Sequence, residues 1–383
     1  MINKNIIYLG LVSFFTDFAS AMINPILPIF IVVYLNEGVD KLGIIVAIAT
    51  LVSYALRLVS GYISDRYGIV KPLVVAGYAL SALSKPLMGF ATSYKSVAVL
   101  KAFERVGKAL RSAPKDALIA NYGKKSQMGK TFGFHKTLDI AGELLGTVLL
   151  FLLLYFLGKS EEIIRNIFYA TIIPGAIALF IVIFFVKDAP KKKVKKEFKL
   201  TDQDKVVVGN LFFYFIFIFF FFNEAFFTMQ AKDVGIDTVF IPLLFIVSTL
   251  TQTLTSYISG IIIDKTGHYT ALIISYLFGI LSLLLLNLNQ DIFIWMAFGF
   301  LGLFTVFSLN ANRAYIASFC DNKASVYGIF YAAIALFGSL GAYAIGYLWE
   351  YYGKSFALNF ALIGTSITTF IFLSKIIYKY FRN

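Results

Sequence analysis

The sequence predicts an all-α membrane protein whose twelve transmembrane helices form two pseudo-symmetric six-helix bundles. Three observations lead there. The chain is 59% hydrophobic and only 14% charged over 383 residues, against about 25% charged in ordinary soluble domains. Apolar runs such as Val206 to Phe227 are long enough to cross a hydrocarbon core of ~30 Å, and the strands of a membrane β-barrel carry far weaker runs. One loop motif recurs at a fixed interval in the two halves of the chain.

Hydropathy and turn signals place the spans with starts near residues 6, 40, 72, 96, 131, 164, 205, 237, 270, 292, 325 and 355. The first span follows MINKNIIYLG, which has one Lys and no small-residue cleavage site, and reads as an uncleaved helix. With the N-terminus inside, the inner segments hold Lys4, Arg66, Lys71, Lys124, Lys125, Lys130, Lys265, Lys323, Lys375, Lys379, Arg382 and the 187–205 cluster. The outer loops hold only Lys41, Lys95, Lys159, Arg165, Lys232 and Lys354. This bias puts both termini in the cytoplasm of a multi-pass plasma-membrane protein and accounts for the net charge of +13 without nucleic acid. The single Cys320 excludes an internal disulfide framework.

Between the sixth and seventh spans lies KDAPKKKVKKEFKLTDQD (residues 187–204), the one long polar stretch. It reads as a cytoplasmic linker between an N-terminal bundle (1–186) and a C-terminal bundle (205–383). A polybasic segment beside a membrane also attracts anionic lipid, at ~1 kcal/mol per basic residue.

The fourth span is unlike the others. On a helix, Lys101, Glu104, Arg105, Lys108, Arg111, Ser112, Lys115 and Asp116 fall within roughly 140° of one another. Each central charge turned toward lipid costs ~2.5–3.5 kcal/mol on insertion scales, so the stripe is expected to face protein or water.

The recurring loop motif is GYISDRYG after the second span, with Gly61, Asp65, Arg66 and Gly68, and GIIIDKTG after the eighth, with Gly260, Asp264, Lys265 and Gly267. The copies stand 199 positions apart, Gly61 against Gly260 and Asp65 against Asp264. A weaker echo pairs Gly133, Gly142 and Gly146 with Gly328, Gly338 and Gly341. Such duplication marks two parallel six-helix repeats.

At these residues the chain resembles the major facilitator superfamily, whose loop signature G-x-x-x-D-R-x-G plus a basic residue is met by Gly61, Asp65, Arg66, Gly68 and Lys71. The fourth-span pattern is met by Lys101 and Gly107, with Lys where Arg is usual. The antiporter pattern of the fifth span is met by Gly133, Gly142 and Gly146, with Thr147 and Leu150 in place of its Pro and last Gly. Thr16 to Phe30, Glu104 to Ala120 and Phe132 to Gly146 look like an archaeal and bacterial permease group with no agreed substrate, though Ala21 stands where that group commonly has an acid. The resemblance implies a monomeric secondary transporter of a prokaryote working by alternating access, with a small-molecule substrate, protons and the bilayer as its partners. The two motif loops, with Arg57 and Asp116, would form its cytoplasmic gate.

Asp17 lies deep in the first span, before Asn24, Pro25 and Pro28, and is a candidate for taking up and releasing a proton. His135, Asp139 and Glu143 follow at i, i+4 steps in the fifth span and line up as a proton relay, with His135 near the solvated end. Glu224 in the seventh span joins the coupling candidates, and Arg313 in the tenth is expected to be buried. Lys108 and Arg111, near mid-membrane, with Arg105, Asn24 and Arg313, are the candidate substrate contacts. An Arg fork suits a carboxylate or phosphate, and basic groups outnumber acids here, which favours an anionic or zwitterionic solute. Static ion pairing is the competing role for Asp17, Asp139, Glu143 and the charged stripe, solvation that for His135, and snorkelling is the reading for Lys85.

Proton-driven efflux is the leading expectation, beside uptake or facilitated diffusion of a small organic anion, and a receptor or scaffold without transport. Two His, one Cys and the absence of metal-ligand spacing argue against an enzyme, a metal site or a cofactor. The lack of a GxxxxGK[ST] loop argues against an ATP-driven pump.

Overall fold

The structure is a computed structural model that describes residues 3–67, 69–123, 128–188 and 200–382. These residues form twelve helical passes and no strand. α1 is Lys4–Ala21, α2 Val39–Tyr67, α3 Lys71–Leu87, α4 Tyr94–Tyr122 and α5 Met128–Leu157. α6 comes in two pieces, Glu161–Ala170 and Ile172–Phe184, as does α7, Asp202–Phe220 and Glu224–Val234. α8 is Ile241–Thr266, α9 His268–Asn287, α10 Asp291–Phe319, α11 Lys323–Tyr352 and α12 Lys354–Arg382. Each start lies within four residues of the position that hydropathy predicts.

Among the described residues ten passes are long and apolar enough to cross a membrane. The other two are α1, which ends at Ala21, and α4, which carries the charged stripe. Phe156, Phe184 and Tyr257 are 75%, 70% and 79% exposed. Large apolar groups left uncovered in such numbers are what a lipid-facing exterior requires.

Breaks in the helices follow local chemistry. After α1 the chain turns at residues 22–26, where Pro25 supplies no N–H, and restarts at Leu27–Ile29 with Pro28 in its first turn. α7 stops at Phe220. It resumes when the Asn223 side chain accepts the Ala225 N–H at 3.0 Å, with Glu224 in the favourable first turn.

The chain divides into two compact units, one of Met1–Glu37, Ile48–Glu197 and Thr238–Leu243, the other of Gly38–Ala47, Phe198–Asp237 and Leu244–Asn383. In the first, α1 packs on α5 and α6, and α3 packs on α4 and α6. In the second, α7 packs on α11 and α12, and α9 packs on α10 and α12. The same pairings recur six helices later, so the repeat of the loop motif is also a repeat of packing.

Glycines set the closest approaches. A Cβ on Gly142 would collide with the Phe14 carbonyl of α1, and one on Gly146 with the Phe18 carbonyl. A Cβ on Gly341 of α11 would meet the Phe219 carbonyl of α7 in the same way. Gly133, by contrast, has open space around it. The core of the second unit is aromatic: the rings of Phe217 and Tyr276 stack at 4.4 Å and those of Phe221 and Phe304 lie 4.3 Å apart.

Candidate functional site

The charged stripe of α4 is held in place by a backbone crossing. A Cβ on Gly77 of α3 would lie 2.5 Å from the Gly107 carbonyl oxygen, and one on Gly107 would lie 2.5 Å from that of Gly77. Only hydrogen at both positions permits this contact. One turn further along α4, Arg111 is buried. It donates to Ser81 Oγ at 2.5 Å and lies with its guanidinium 4.6 Å from the centre of the Tyr78 ring. Arg111 therefore joins α4 to α3, through its Nη1 and the face of its guanidinium.

Toward the other end of the stripe, Lys101 donates to Asn24 Oδ1 at 2.9 Å and lies 2.7 Å from Glu104 Oε2. Arg105 Nε stands 3.6 Å from the same carboxylate oxygen. The break after α1 is what brings Asn24 within reach of α4. Lys85, for which the sequence suggests snorkelling, is only 3% exposed and donates to the Thr16 carbonyl at 2.8 Å. Its stem is enclosed between helices, so the ammonium finds a backbone acceptor on α1 in place of an interface.

A second polar knot joins four helices. Ser13 Oγ of α1 accepts from Lys115 Nζ of α4 at 3.0 Å, and lies 3.2 Å from Tyr78 OH of α3 and 3.2 Å from His135 Nε2 of α5. Nδ1 of the same imidazole stands 3.4 Å from Asp139 Oδ1. His135 is 5% exposed, not solvated as its position near the end of the span suggests, because α1 and α5 close over it. A hydroxyl that accepts one hydrogen bond and can donate another connects Lys115, Tyr78 and His135 through one atom.

The remaining predicted residues are placed less tightly. Asp17 is half-buried on α1, one turn beyond Ser13. Lys108, Asp116 and Glu143 are exposed, and Arg57 is half-buried on α2. Arg313 is exposed rather than buried, with its Nη2 3.4 Å from Tyr331 OH, because α10 turns Asn312 inward in its place. Glu224 is half-buried in the first turn of the second piece of α7. A Cβ on Gly61 would meet Ala113 at 3.6 Å, an ordinary contact. Gly267 has φ +83°, the turn that a glycine permits, and Asp264 and Lys265 are exposed. Gly260 has open space around it. Gly68, the side chains of Asp65 and Arg66, and residues 189–199 of the Lys-rich linker lie outside the described residues.

Ser13, Tyr78 and Ser81 escape sequence reasoning. Each is a common residue in an apolar run, and its partner lies tens of residues away.

Residues 9–342 match the Major Facilitator Superfamily. The chain belongs to this family. A relative of this major facilitator chain, an uncharacterised MFS-type transporter of Methanocaldococcus jannaschii, is 29% identical over 370 residues, 91% of this chain and 89% of its own. A probable 4-methylmuconolactone transporter of Cupriavidus pinatubonensis is 33% identical over 149 residues, 38% of this chain and 34% of its own. Among solved structures, a POT family transporter in complex with 5-aminolevulinic acid matches with a TM-score of 0.81 at 11% identity, over 98% of both chains. At that identity the likeness is one of fold. The chain is thus a membrane transporter of the major facilitator type.

Proposed function

We propose that the protein is a proton-coupled secondary transporter that exports a small anionic or zwitterionic solute by alternating access. The observation that carries the coupling is the convergence of Lys115, Tyr78 and His135 on Ser13 Oγ, with Asp139 beside the imidazole. Groups that can gain and lose protons are joined there into a path across four helices, with Asp17 one turn away on α1. Glu143 extends the path along α5, and Glu224 on α7 is the coupling candidate of the second unit.

Export is favoured by the antiporter-like spacing of Gly133, Gly142 and Gly146. The charge of the solute is favoured by Lys108, with Arg105 beside it on α4. In this reading the loops around Asp65 and Asp264 open and close the cytoplasmic side, both termini lie in the cytoplasm of a prokaryotic cell, and the monomer is the working unit. A second reading, uptake of a small organic anion, draws on the likeness to the probable 4-methylmuconolactone transporter.

The test is reconstitution in liposomes with an internal pH dye and an imposed solute gradient. Coupled transport moves protons in a fixed ratio to solute, and reversing the pH gradient reverses the net flux. Solute flux with no proton movement would leave a facilitator, and no flux of any solute would leave a receptor.

A further inference from the structure

In the second unit, Lys375 of α12 is a cation held in place by neutral groups. Its Nζ donates to Asn210 Oδ1 of α7 at 2.9 Å and lies 4.9 Å from the centre of the Phe213 ring. No carboxylate stands within 4 Å of it among the described residues. Asn210 is itself locked. Its Nδ2 donates to Tyr269 OH of α9 at 3.0 Å and to Tyr315 OH of α10 at 2.7 Å, so both amide protons are spent and the oxygen is left to face the ammonium. Behind these groups, Tyr315 is buried and stacks on the His268 imidazole at 4.1 Å, while Phe213 rests on the buried Phe372 at 5.3 Å. Four helices thus position one ammonium.

A lysine at a membrane surface ordinarily moves with the headgroups it meets, and fixing it costs side-chain entropy. Lys375 is nevertheless exposed, and Asn210 takes one of its three N–H donors. Two donors and an uncompensated charge therefore remain for a group outside the protein. The membrane-spanning stretch of α12 ends at Tyr378, so Lys375 stands at its edge. Lys379 and Arg382 follow at i+4 and i+7, positions that share its face of the helix. Ile371, one turn back toward the membrane centre, is 51% exposed. Gly209, next to Asn210, is exposed and has open space where a side chain would stand. Positive charge is thus joined to an uncovered apolar surface.

We propose that Lys375 is the centre of a binding site for an anionic phospholipid of the cytoplasmic leaflet, with the phosphate on the ammonium and an acyl chain along Ile371. A free anion leaves the apolar surface uncovered. A zwitterionic headgroup brings a cation of its own toward Lys375. An anionic phospholipid meets both the charge and the apolar surface, and Gly209 leaves room for its headgroup. From the reading above this site borrows only the orientation of the chain, and it stands whichever solute is carried and in whichever direction.

Native mass spectrometry of the purified full chain tests this without any transport. The probes are dioleoylphosphatidylglycerol and dioleoylphosphatidylcholine, each added to detergent micelles at the same concentration. One phosphatidylglycerol is retained per chain under conditions that strip phosphatidylcholine. Lys375→Gln weakens that retention about tenfold, where a basic residue in loose attraction to the leaflet is worth about fivefold or less. Asn210→Ala changes no charge and only releases the ammonium, and it weakens retention about threefold. Lys205→Gln, at the start of α7, removes one positive charge from the same end of the unit and leaves retention unchanged. If Lys375→Gln or Asn210→Ala fails to fold, the comparison of the two lipids on the unmodified chain decides alone. Equal retention of both lipids overturns the proposal. So do equal losses in Lys375→Gln and Lys205→Gln, or no loss in Asn210→Ala, either of which leaves only unspecific attraction to the leaflet. Displacement of the lipid by millimolar inorganic phosphate also overturns it, since the site then takes a free anion.

Discussion

Asp204, two residues into α7, accepts the backbone N–H of Asp321 on its Oδ1 at 3.0 Å, across 117 residues of chain. The same carboxylate accepts from the Asn322 N–H at 3.3 Å and from the Thr201 N–H at 3.0 Å, while Thr201 Oγ1 accepts the Asp204 N–H at 3.2 Å. One buried side chain thus closes the capping box of α7 and holds the turn between α10 and α11. Replacing it with Ala leaves three backbone donors without their acceptor. Asp204→Ala is expected to lower the melting temperature clearly. Lys205→Gln next to it, where the partners Lys205 and Asp202 are 65% and 97% exposed, is expected to leave it unchanged. Thermal unfolding of the two variants side by side checks this, and equal effects would remove Asp204 from the fold's fixed points.

Cys320 lies at the start of that turn and is the chain's single thiol. Burial, and then the negative charges of Asp204 and Asp321, push it up to about 11. The thiolate is the reactive form, so the thiol is inert below that value and gains reactivity as pH rises toward it. Alkylation by iodoacetamide, followed by mass spectrometry, is expected to be very slow at pH 7 and to speed up ~tenfold per pH unit up to about pH 10. Asp204→Ala removes the neighbouring charge that acts most on the thiol and frees the turn, and should speed labelling at every pH. A rate that levels off near pH 8.5 would place Cys320 in an open, unperturbed setting.

The glycines of α5 separate packing from sequence pattern. Gly142 touches the Phe14 carbonyl, so Gly142→Ala forces α5 away from α1 and is expected to destabilise by roughly 1–3 kcal/mol. Gly133 belongs to the same spaced series but has open space around it, so Gly133→Ala should gain ~0.5–1 kcal/mol of helix preference. Melting temperatures of the two variants should move in opposite directions. If both fall together, a shared requirement other than local space acts on the series.

Arg111 is expected to matter for stability more than for binding. Arg111→Gln removes a charged hydrogen bond to Ser81 and the stacking on Tyr78, a loss of about 2–4 kcal/mol. Ligand affinity, measured on the folded fraction, should change less than threefold. A large loss of affinity in a variant of unchanged stability would return Arg111 to the substrate.

How much of this the sequence discloses follows from the range of each interaction. Spans are legible because lipid admits no unpaired backbone, so most crossings are long apolar helical stretches whose ends fall where polar residues begin. The break in α7 is hidden by the run of phenylalanines around Asn223, where the apolar signal does not dip. The charge stripe of α4 is legible because its spacing is local. Its division of labour is not, since Arg111 meets residues thirty positions back, and His135 meets Ser13 from 122 positions away. Arg313 shows the limit within one helix: adjacent polar residues, Asn312 and Arg313, point in different directions, and only packing decides which of them turns inward.

In the proposed mechanism, Ser13 is the junction on which proton coupling turns. Ser13→Ala keeps the size of the side chain near that of the original and removes the one atom shared by Lys115, Tyr78 and His135. Solute exchange across liposomes without a pH gradient needs the carrier to change sides but needs no proton transfer, and should persist. Accumulation driven by a pH gradient needs the relay, and should fall at least tenfold. Asp139→Asn, which keeps the shape beside His135 but removes its carboxylate, should give the same split between exchange and driven flux. If Ser13→Ala lowers both fluxes equally, the hydroxyl serves packing of α1 against α5. If it lowers neither, protons take a route that avoids His135.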